Sequence, residues 1–286
     1  MTAVLQLDGV TVAGRRQPRL DGINLRLEPG ERVALIGASG AGKSTLLAVA
    51  NGLIAPHRGQ VHWLGEPQAR SRRQRRLQQA RIGTLWQDLR LVEELSVQQN
   101  LNAACLARWG WPRALLNLLI SLDSQACAQL LRRLDLEVGL LNQPVSCLSG
   151  GQRQRVAIAR LLRQQPQLVL ADEPLASLDP RLAEELLNLL LSLSEAPRAL
   201  LLSLHRPDLL AGFDRVIGLR GGRIAFDSPP AALTASQLNA LYAGTDPNSA
   251  NADCTGYAGT GYAGTGADGT QADGTGDERP SARPGS

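Results

Sequence analysis

The sequence predicts an α/β fold in which helices cover a parallel sheet. Short apolar runs such as "RVALIG" and "QLVLAD" predict buried strands. Leucine-rich runs with helical spacing, such as "RLAEELLNLLLSL", alternate with these strands after Pro166. Alternation of strands and helices is typical of a parallel sheet with helices on its faces.

The composition allows a large core and excludes few partners. The chain has 286 residues, of which 43% are hydrophobic and 20% charged, so it can bury a sizeable core. Only 3% of the residues are aromatic, which predicts a core of aliphatic side chains. The formal net charge of +4 is compatible with nucleic acid or an anionic membrane surface but requires neither.

The cysteines and the apolar runs favour a soluble chain in a reducing cytosol. The four cysteines include no C-x-x-C pair, which favours free thiols over a metal site. The start "MTAVLQLDGV" lacks the basic and apolar regions of a signal peptide, so none is expected. The longest apolar runs fall well short of the roughly 20 residues of a membrane-spanning helix. The cysteines are Cys105, Cys127, Cys147 and Cys254.

The first part of the chain is predicted to consist mainly of strands. "VLQLDGVTV" and "INLRLE" alternate apolar and polar residues, with glycine and proline turns between them. "RVALIG" then leads into a helix expected from about Lys43 to Gly52. "QVHWLG" and "RIGTLW" are predicted as further strands.

Two later segments differ from this pattern. From Leu89 to Gln165 the spacing becomes helical and leucine-rich, which predicts an inserted helical subdomain at about residues 89–165. Residues 245–286 repeat Gly, Ala, Thr and Asp with almost no branched apolar residues, which predicts a disordered tail. Residues 1–244 are therefore expected to form the folded domain.

The run "GASGAGKST" fits the phosphate-binding pattern G-x-x-x-x-G-K-[ST] and lies between a predicted strand and a predicted helix. Backbone N–H groups of such a loop converge on the β-phosphate. Lys43 is expected to reach the β- and γ-phosphates, Ser44 to bind Mg²⁺, and Thr45 to lie near the α-phosphate. The predicted nucleotide-binding residues are Gly37, Ala38, Ser39, Gly40, Ala41, Gly42, Lys43, Ser44 and Thr45.

A second run, "LVLADEP", places two acids at the end of a buried strand. Asp172 can hold Mg²⁺, through water, and Glu173 can accept a proton from an attacking water as the general base. An ordinary solvated acidic turn is the alternative. The phosphate loop upstream favours the catalytic interpretation and predicts a nucleoside triphosphatase.

With four further motifs, the chain from Val4 to Gly244 resembles the ATP-binding subunit of an ABC transporter. Gln87 in "LWQD" resembles the Q-loop glutamine of the family. "SLDPR", which contains Asp179, resembles the D-loop. His205 in "LSLH" resembles the switch histidine. "LSGGQ" resembles the family signature, its most specific element. The signature residues are Leu148, Ser149, Gly150, Gly151 and Gln152.

The resemblance implies a P-loop NTPase with a RecA-like core, an antiparallel β subdomain and an inserted helical subdomain. It implies that Gln87 touches Mg²⁺ or the lytic water and that His205 contacts the γ-phosphate. The metal ligands would be Ser44, Gln87 and Asp172. A homodimer is expected, in which the signature of one subunit closes over the ATP held by the phosphate loop of the other. Asp179 would cross to the partner subunit.

Within the family, "ASLDP" and the run that begins "SLHRPDLL" most resemble the phosphonate or phosphite import subgroup. This implies an ATPase that energises import through an integral membrane permease, with a periplasmic or extracellular solute-binding protein. The subunit would lie at the cytoplasmic face of the membrane. An importer of another solute, or an ATPase of a lipoprotein-release or cell-division complex, is the alternative. A DNA-repair ATPase fits less well, because the chain has no coiled-coil or zinc insertion.

One departure from the family pattern concerns the adenine base. The segment from Thr11 to Leu20 has no aromatic residue that could stack on it. Either the guanidinium group of Arg15 or Arg16 stacks there, or the base is held loosely.

Two further features allow more than one interpretation. The segment Ala69–Arg81 carries six arginines without a nucleic-acid reader motif, so no nucleic-acid partner is expected. A solvated helix face is the favoured interpretation, and contact with anionic lipid is the second. Trp109 and Trp111 either pack in the helical subdomain or line a groove for the permease.

Overall fold

The computed structural model describes residues 2–69, 71–120, 122–176, 178–192 and 194–243. The predicted tail with Cys254, and Ser177 of the D-loop motif, lie outside the described residues. The strands are β1 (Leu5–Val12), β2 (Leu20–Leu27), β3 (Arg32–Ile36), β4 (Arg58–Trp63), β5 (Glu66–Pro67), β6 (Ile82–Leu85), β7 (Leu168–Asp172), β8 (Ala199–Leu204), β9 (Arg215–Arg220) and β10 (Arg223–Ser228). The helices are α1 (Lys43–Asn51), α2 (Arg72–Gln79), α3 (Val97–Ala103), α4 (Leu106–Leu119), α5 (Ser124–Arg133), α6 (Gly150–Gln164), α7 (Pro180–Ser192) and α8 (Ala235–Tyr242).

A four-stranded antiparallel sheet has the order β2-β1-β4-β5. In β1, Leu5 and Leu7 are buried while Gln6 and Asp8 are partly exposed, as the alternation in the sequence predicts. Trp63 at the end of β4 is buried, and its Nε1 donates to the carbonyl oxygen of Ala50 at 2.7 Å. This bond ties the antiparallel sheet to α1, the helix that follows the phosphate loop.

The second sheet has six strands in the order β10-β9-β3-β8-β7-β6. Five of them are parallel, as predicted. β10 is antiparallel to β9, because Gly221 and Gly222, with φ of 55° and 76°, close a tight hairpin between them. Since β3 lies near the middle of this sheet, the loop that follows it is held by strands on both sides.

Both faces of the parallel sheet are buried, which explains why its strands are continuous apolar runs. On β3, Ala34 and Ile36 point into a core shared with the helical segment. Val33 and Leu35 point into a second core shared with α1 and the antiparallel sheet. The carboxyl ends of these strands, where the predicted site residues lie, are therefore rigidly supported.

Helices α3, α4, α5 and α6 occupy the segment predicted to be a helical subdomain. Leu131 of α5 and Ile158 of α6 are fully buried and belong to the same core as Leu202 of β8. This core is therefore continuous with one face of the parallel sheet. Among the described residues, no helix is both long enough and apolar enough to cross a bilayer.

Within the arginine run, Arg72–Gln79 forms α2, a helix with no buried residue, as its composition predicts. Ser71 caps α2 by accepting the N–H of Gln74. In α4, the guanidinium group of Arg113 lies 4.6 Å from the centre of the half-buried Trp109 ring. The side chain of Trp111 is outside the part of the chain that the structure describes.

Candidate active site

The phosphate loop joins β3 to α1, and its backbone requires glycine at two positions. Gly37 has a φ of 158° and Gly42 a φ of 108°. A Cβ on Gly37 would lie 2.3 Å from the carbonyl oxygen of Leu219, and one on Gly42 would lie 2.7 Å from that of Arg19. The loop therefore packs directly against neighbouring backbone, where no side chain fits. Between these glycines, Ala38 and Ala41 are buried whereas Ser39 and Gly40 are exposed.

Lys43 begins α1, and its side chain folds back against the loop that precedes it. Its Nζ donates to the carbonyl oxygen of Gly37 at 2.9 Å and to that of Ala38 at 3.3 Å. The same Nζ lies 3.5 Å from Oε1 of Glu173. Only 5% of the residue is exposed. Burial lowers the pKa of Lys43, and the charges of the nearby acids raise it in part.

Glu173 follows β7 in a left-handed backbone conformation, with a φ of 48°. Its Oε1 pairs both with Nζ of Lys43 and with Nε2 of His205, the residue that follows β8. Burial raises the pKa of Glu173, but hydrogen bonds and charges from His205 and Lys43 outweigh that effect, and the pKa lies below its usual value. Glu173 is therefore an anion held between the two groups predicted to contact phosphates.

Asp172, the last residue of β7, is buried and lies opposite Ser203 of β8 in the parallel register. The hydroxyl of Ser203 donates to Oδ1 of Asp172 at 2.8 Å and accepts the backbone N–H of Glu173 at 2.9 Å. One buried hydroxyl thus contacts both predicted acids.

The oxygen groups around Asp172 are suited to Mg²⁺, which prefers hard oxygen ligands. Oδ1 of Asp172 receives the Ser203 hydroxyl, and the carboxylate has a second oxygen. α1 packs against β7, and the hydroxyl-bearing Ser44 in its first turn is exposed while Thr45 is half-buried. Gln87, the third predicted ligand, lines a cleft together with Glu173.

The signature motif forms the start of α6. The hydroxyl of Ser149 accepts the N–H of Gln152, and the side chain of Gln152 accepts the N–H of Ser149, which is a capping box. Gly150 is exposed, and a Cβ there would meet no atom within 4 Å. Leu148 is buried and anchors the turn. The glycines therefore present the positive end of the helix dipole at an accessible surface.

A cleft of about 370 Å³ brings several predicted residues together within one chain. Its lining includes Gln87, Gly150, Gly151, Glu173 and Asp179. Among the described residues, none of the phosphate loop lines this cleft. The signature of one chain therefore lines this cleft with Glu173 and Asp179, without the phosphate loop.

Asp179 precedes α7 and caps it. Its Oδ1 accepts the N–H of Leu182 at 3.1 Å, and its backbone carbonyl accepts the N–H of Ala183 at 2.9 Å. The side chain is exposed beside the cleft. Its position on the surface is compatible with contact to a second subunit.

Two arginines contact the segment around Gln87. The guanidinium group of Arg90 lies 4.3 Å from the centre of the Trp86 ring. Arg160 of α6 donates to the carbonyl oxygens of Leu89 and Arg90 at 2.6 and 2.5 Å. Arg160 therefore ties the Gln87 segment to α6, the helix that begins with the signature.

The loop between β1 and β2 borders the phosphate loop, because the carbonyl of Arg19 lies against Gly42. Arg15 and Arg16 are exposed on this loop. The ring Nδ1 of His57 accepts the N–H of Ala13 at 3.2 Å and tethers one end of it. Arginine side chains therefore stand where the sequence lacks an aromatic residue.

Two contacts at the site are not predictable from the motifs. Ser203 lies two residues before His205 inside an apolar strand, and only the register of β7 and β8 places it beside Asp172. Tyr242 of α8 is the second: burial, the larger effect, raises the pKa of its phenol, and the backbone of Gly37 lowers that pKa in part. Neither residue belongs to a pattern with a recognised spacing.

The site has the architecture of a P-loop nucleoside triphosphatase. A glycine-rich loop leads from the central strand β3 into α1, and Lys43 begins that helix. An aspartate ends β7 and a glutamate follows it, beside the parallel strand β8, which the histidine follows.

The comparisons with known proteins define the class further. A sequence model described as "ABC transporter" matches residues 20–176, and the chain belongs to this family. It is 44% identical over 246 residues to the phosphonates import ATP-binding protein PhnC of Pseudomonas putida, covering 84% of this chain and 90% of that protein. It is 46% identical over 243 residues to PhnC 1 of Pseudomonas aeruginosa, covering 84% and 91%. As a family member, the chain is an ATPase that binds ATP.

Two solved structures resemble the fold. One is cbiO1 from Clostridium perfringens, part of the ABC transporter complex cbiONQ, with 28% identity and a TM-score of 0.68 over 80% of this chain and 90% of that one. The other is a dimeric ATP-binding cassette in a post-hydrolysis state with ADP and Pi. It also has 28% identity and a TM-score of 0.68, over 79% of this chain and 98% of that one.

Proposed function

We propose that this chain is the ATP-hydrolysing subunit of an ABC importer that energises uptake of a phosphonate or a related phosphorus oxyanion. The observation that carries the proposal is the identity of 44–46%, over 84% of the chain, to relatives named as phosphonates import ATP-binding proteins. An integral membrane permease and a solute-binding protein complete the system. The chain acts at the cytoplasmic face of the membrane.

Binding of ATP begins with an exchange of partners at Lys43. Its ammonium group leaves Glu173 and the carbonyls of the loop for the β- and γ-phosphates. His205 likewise leaves Glu173 for the γ-phosphate. The phosphates thus replace a carboxylate that already holds the same two groups, so the binding groups are preorganised.

Hydrolysis requires Glu173 as a free carboxylate near the attacking water. Once Lys43 and His205 have turned to the phosphates, Glu173 is able to accept the proton of that water. Ser44, Asp172 and Gln87 would hold Mg²⁺, which would supply positive charge to neutralise the phosphates. His205 keeps the γ-phosphate in place.

The signature acts on the ATP of a second subunit. Gly150 and Gly151 line a cleft that no described residue of the phosphate loop lines, and their helix N-terminus is accessible to an anion. A dimeric structure is known for a related cassette. The homodimer would close when ATP bridges the two subunits, because the bridging contacts exist only then, and it would open after hydrolysis. Asp179 contacts the partner at this interface.

The proposal is tested by reconstitution with the partner permease and the solute-binding protein in liposomes. ATP turnover is measured with methylphosphonate, phosphite, phosphate and an amino acid added to the binding protein. We expect stimulation by the phosphonate or phosphite, and none by the amino acid. A complex with the Glu173→Gln subunit should take up no solute.

Stimulation by the amino acid alone would overturn the assignment of the solute class. Stable association with a membrane partner that has no solute-binding component would favour the lipoprotein-release or cell-division alternative. Both outcomes would leave the ATPase assignment unchanged.

A further inference from the structure

Ser203 is a fully buried hydroxyl in an apolar strand, at the point where two parallel strands end together. It is 0% exposed, and its neighbours on β8, Leu202 and Leu204, are also buried. The register of the sheet pairs it with Asp172 on β7. A polar group in such a place is costly to bury unless its hydrogen bonds are satisfied.

The direction of both hydrogen bonds is determined by chemistry. The backbone N–H of Glu173 can only donate, so the oxygen of Ser203 must accept that bond. The single hydroxyl proton is then directed to Oδ1 of Asp172, since an ionised carboxylate can only accept. The chain of bonds therefore runs from Glu173 through Ser203 to Asp172, in one orientation.

Each end of this series of hydrogen bonds constrains a different acid. At one end, Ser203 donates to Oδ1 of Asp172 and so restricts the rotation of that carboxylate. At the other end, the N–H of Glu173 is held while its residue adopts a φ of 48°, a conformation that non-glycine residues seldom take. That conformation accompanies the placement of the Glu173 carboxylate beside Lys43 and His205.

We infer that Ser203 is a positioning residue that aligns the metal-binding aspartate and the general base through one shared hydroxyl. This inference rests on the proposed ATPase roles of Asp172 and Glu173. Ser203 is fully buried and acts through its two hydrogen-bond partners, Asp172 and Glu173. Loss of the Ser203 hydroxyl would therefore weaken metal binding and slow the chemical step. The affinity of the phosphate loop for the nucleotide would stay the same.

The test compares Ser203→Ala, Ser203→Cys and Ser203→Thr in the full chain, with Ser194→Ala as the matched control. Ser194 is also a buried serine, and its hydroxyl donates to the carbonyl of Leu190 within α7, remote from the acids. The cysteine variant keeps the volume of the side chain but has only a weak donor. The threonine variant keeps the hydroxyl.

The first readout is Mn²⁺ binding to the protein–ADP complex, measured by electron paramagnetic resonance of free Mn²⁺. We expect about tenfold weaker binding for Ser203→Ala and Ser203→Cys, recovery for Ser203→Thr, and no change for Ser194→Ala. ADP binding in EDTA should be the same for all four variants. The second readout is ATP turnover. For Ser203→Ala and Ser203→Cys, kcat should fall by about 10- to 100-fold with little change in KM.

Wild-type Mn²⁺ affinity in the folded cysteine variant would overturn the inference, even if the alanine variant failed to fold. An equal loss in Ser194→Ala would also overturn it, because the effect would then be one of general packing. These measurements need only nucleotide and metal, so a failure of the transport proposal would leave their result interpretable.

Discussion

Glu173 holds together the two side chains that are proposed to bind the phosphates of ATP. Its carboxylate pairs with the buried ammonium group of Lys43 and with His205. Lys43 is 5% exposed, so its charge depends strongly on this partner for stabilisation. In the proposed mechanism, Glu173 thus competes with the γ-phosphate for Lys43 and His205 before ATP binds, and it acts as the base after ATP has bound.

Replacing Glu173 with glutamine removes this competition together with the base. We expect Glu173→Gln to bind ATP about tenfold more tightly, a gain of about 1.4 kcal/mol, because no carboxylate opposes the phosphates. Its turnover should fall by about 10²- to 10⁴-fold. Titration calorimetry and steady-state phosphate release measure the two effects.

A suitable control is Glu94→Gln, which removes an exposed carboxylate outside the site. It should change neither quantity. Normal turnover in Glu173→Gln would contradict the role of Glu173 as the general base, whereas unchanged affinity would contradict the competition alone.

At the level of elements, the site depends on how β3, the phosphate loop and α1 are joined. β3 is enclosed by two cores, so its carboxyl end cannot shift easily. The loop then turns at Gly42, which has a φ of 108°, and α1 starts at the next residue. Gly52 ends α1 with a φ of 79°, a left-handed glycine cap.

Substitutions at two glycines of this loop distinguish the cost of backbone strain from the cost of a steric clash. Gly40 and Gly42 both have positive φ, but a Cβ on Gly40 meets no atom within 4 Å, whereas one on Gly42 meets the Arg19 carbonyl at 2.7 Å. Gly40→Ala should destabilise the protein by about 1 kcal/mol and Gly42→Ala by about 3 kcal/mol or more. Urea denaturation measures both. Equal losses would show that the clash contributes nothing.

Helix α6 links the signature to the core. Its first turn carries Ser149 and Gln152 in a capping box, and its middle buries Val156 and Ile158. Arg160 then reaches the segment of Gln87. Movement of this helix would therefore move the signature and the Gln87 segment together.

At the level of the whole molecule, the proposed homodimer requires each chain to supply two half-sites. In that proposal Lys43 belongs to one half and Gly150, which lines a cleft without the phosphate loop, to the other. Lys43→Ala should disable the first half. Gly150→Glu should disable the second by repelling phosphate, without destabilising the fold, since the position is open and an acid is favoured at a helix N-terminus.

Mixing the two inactive variants distinguishes action between subunits from action within one. If the signature acts on the partner's ATP, a mixed dimer has one intact composite site and should recover up to about half of the wild-type activity per mixed dimer. If it acts within its own chain, every site in the mixture is defective. ATP turnover of the mixture measures this, and Gly139→Glu, an exposed position with no Cβ contact, is the control.

Much of the fold was predictable because the signals are local. The two-faced burial of β3 and β7 follows from their apolar runs, and the start of α1 follows from the glycine–lysine step at Gly42. The shared core of α6 and the sheet was less predictable, because helical periodicity shows which face is buried but not what covers it. The antiparallel direction of β10 is predictable only if Gly221 and Gly222 are identified as a hairpin turn.

The class of site is predictable from the amino-acid sequence, since a phosphate loop, an acidic strand and a signature are each encoded within a few neighbouring residues. Contacts between groups that are distant in the sequence follow from the folded structure. The register of β7 and β8 brings Ser203 to Asp172, and the order of the sheet brings Glu173 to Lys43 and His205. Such contacts depend on strand order and register, which are set by packing of the whole sheet rather than by local spacing.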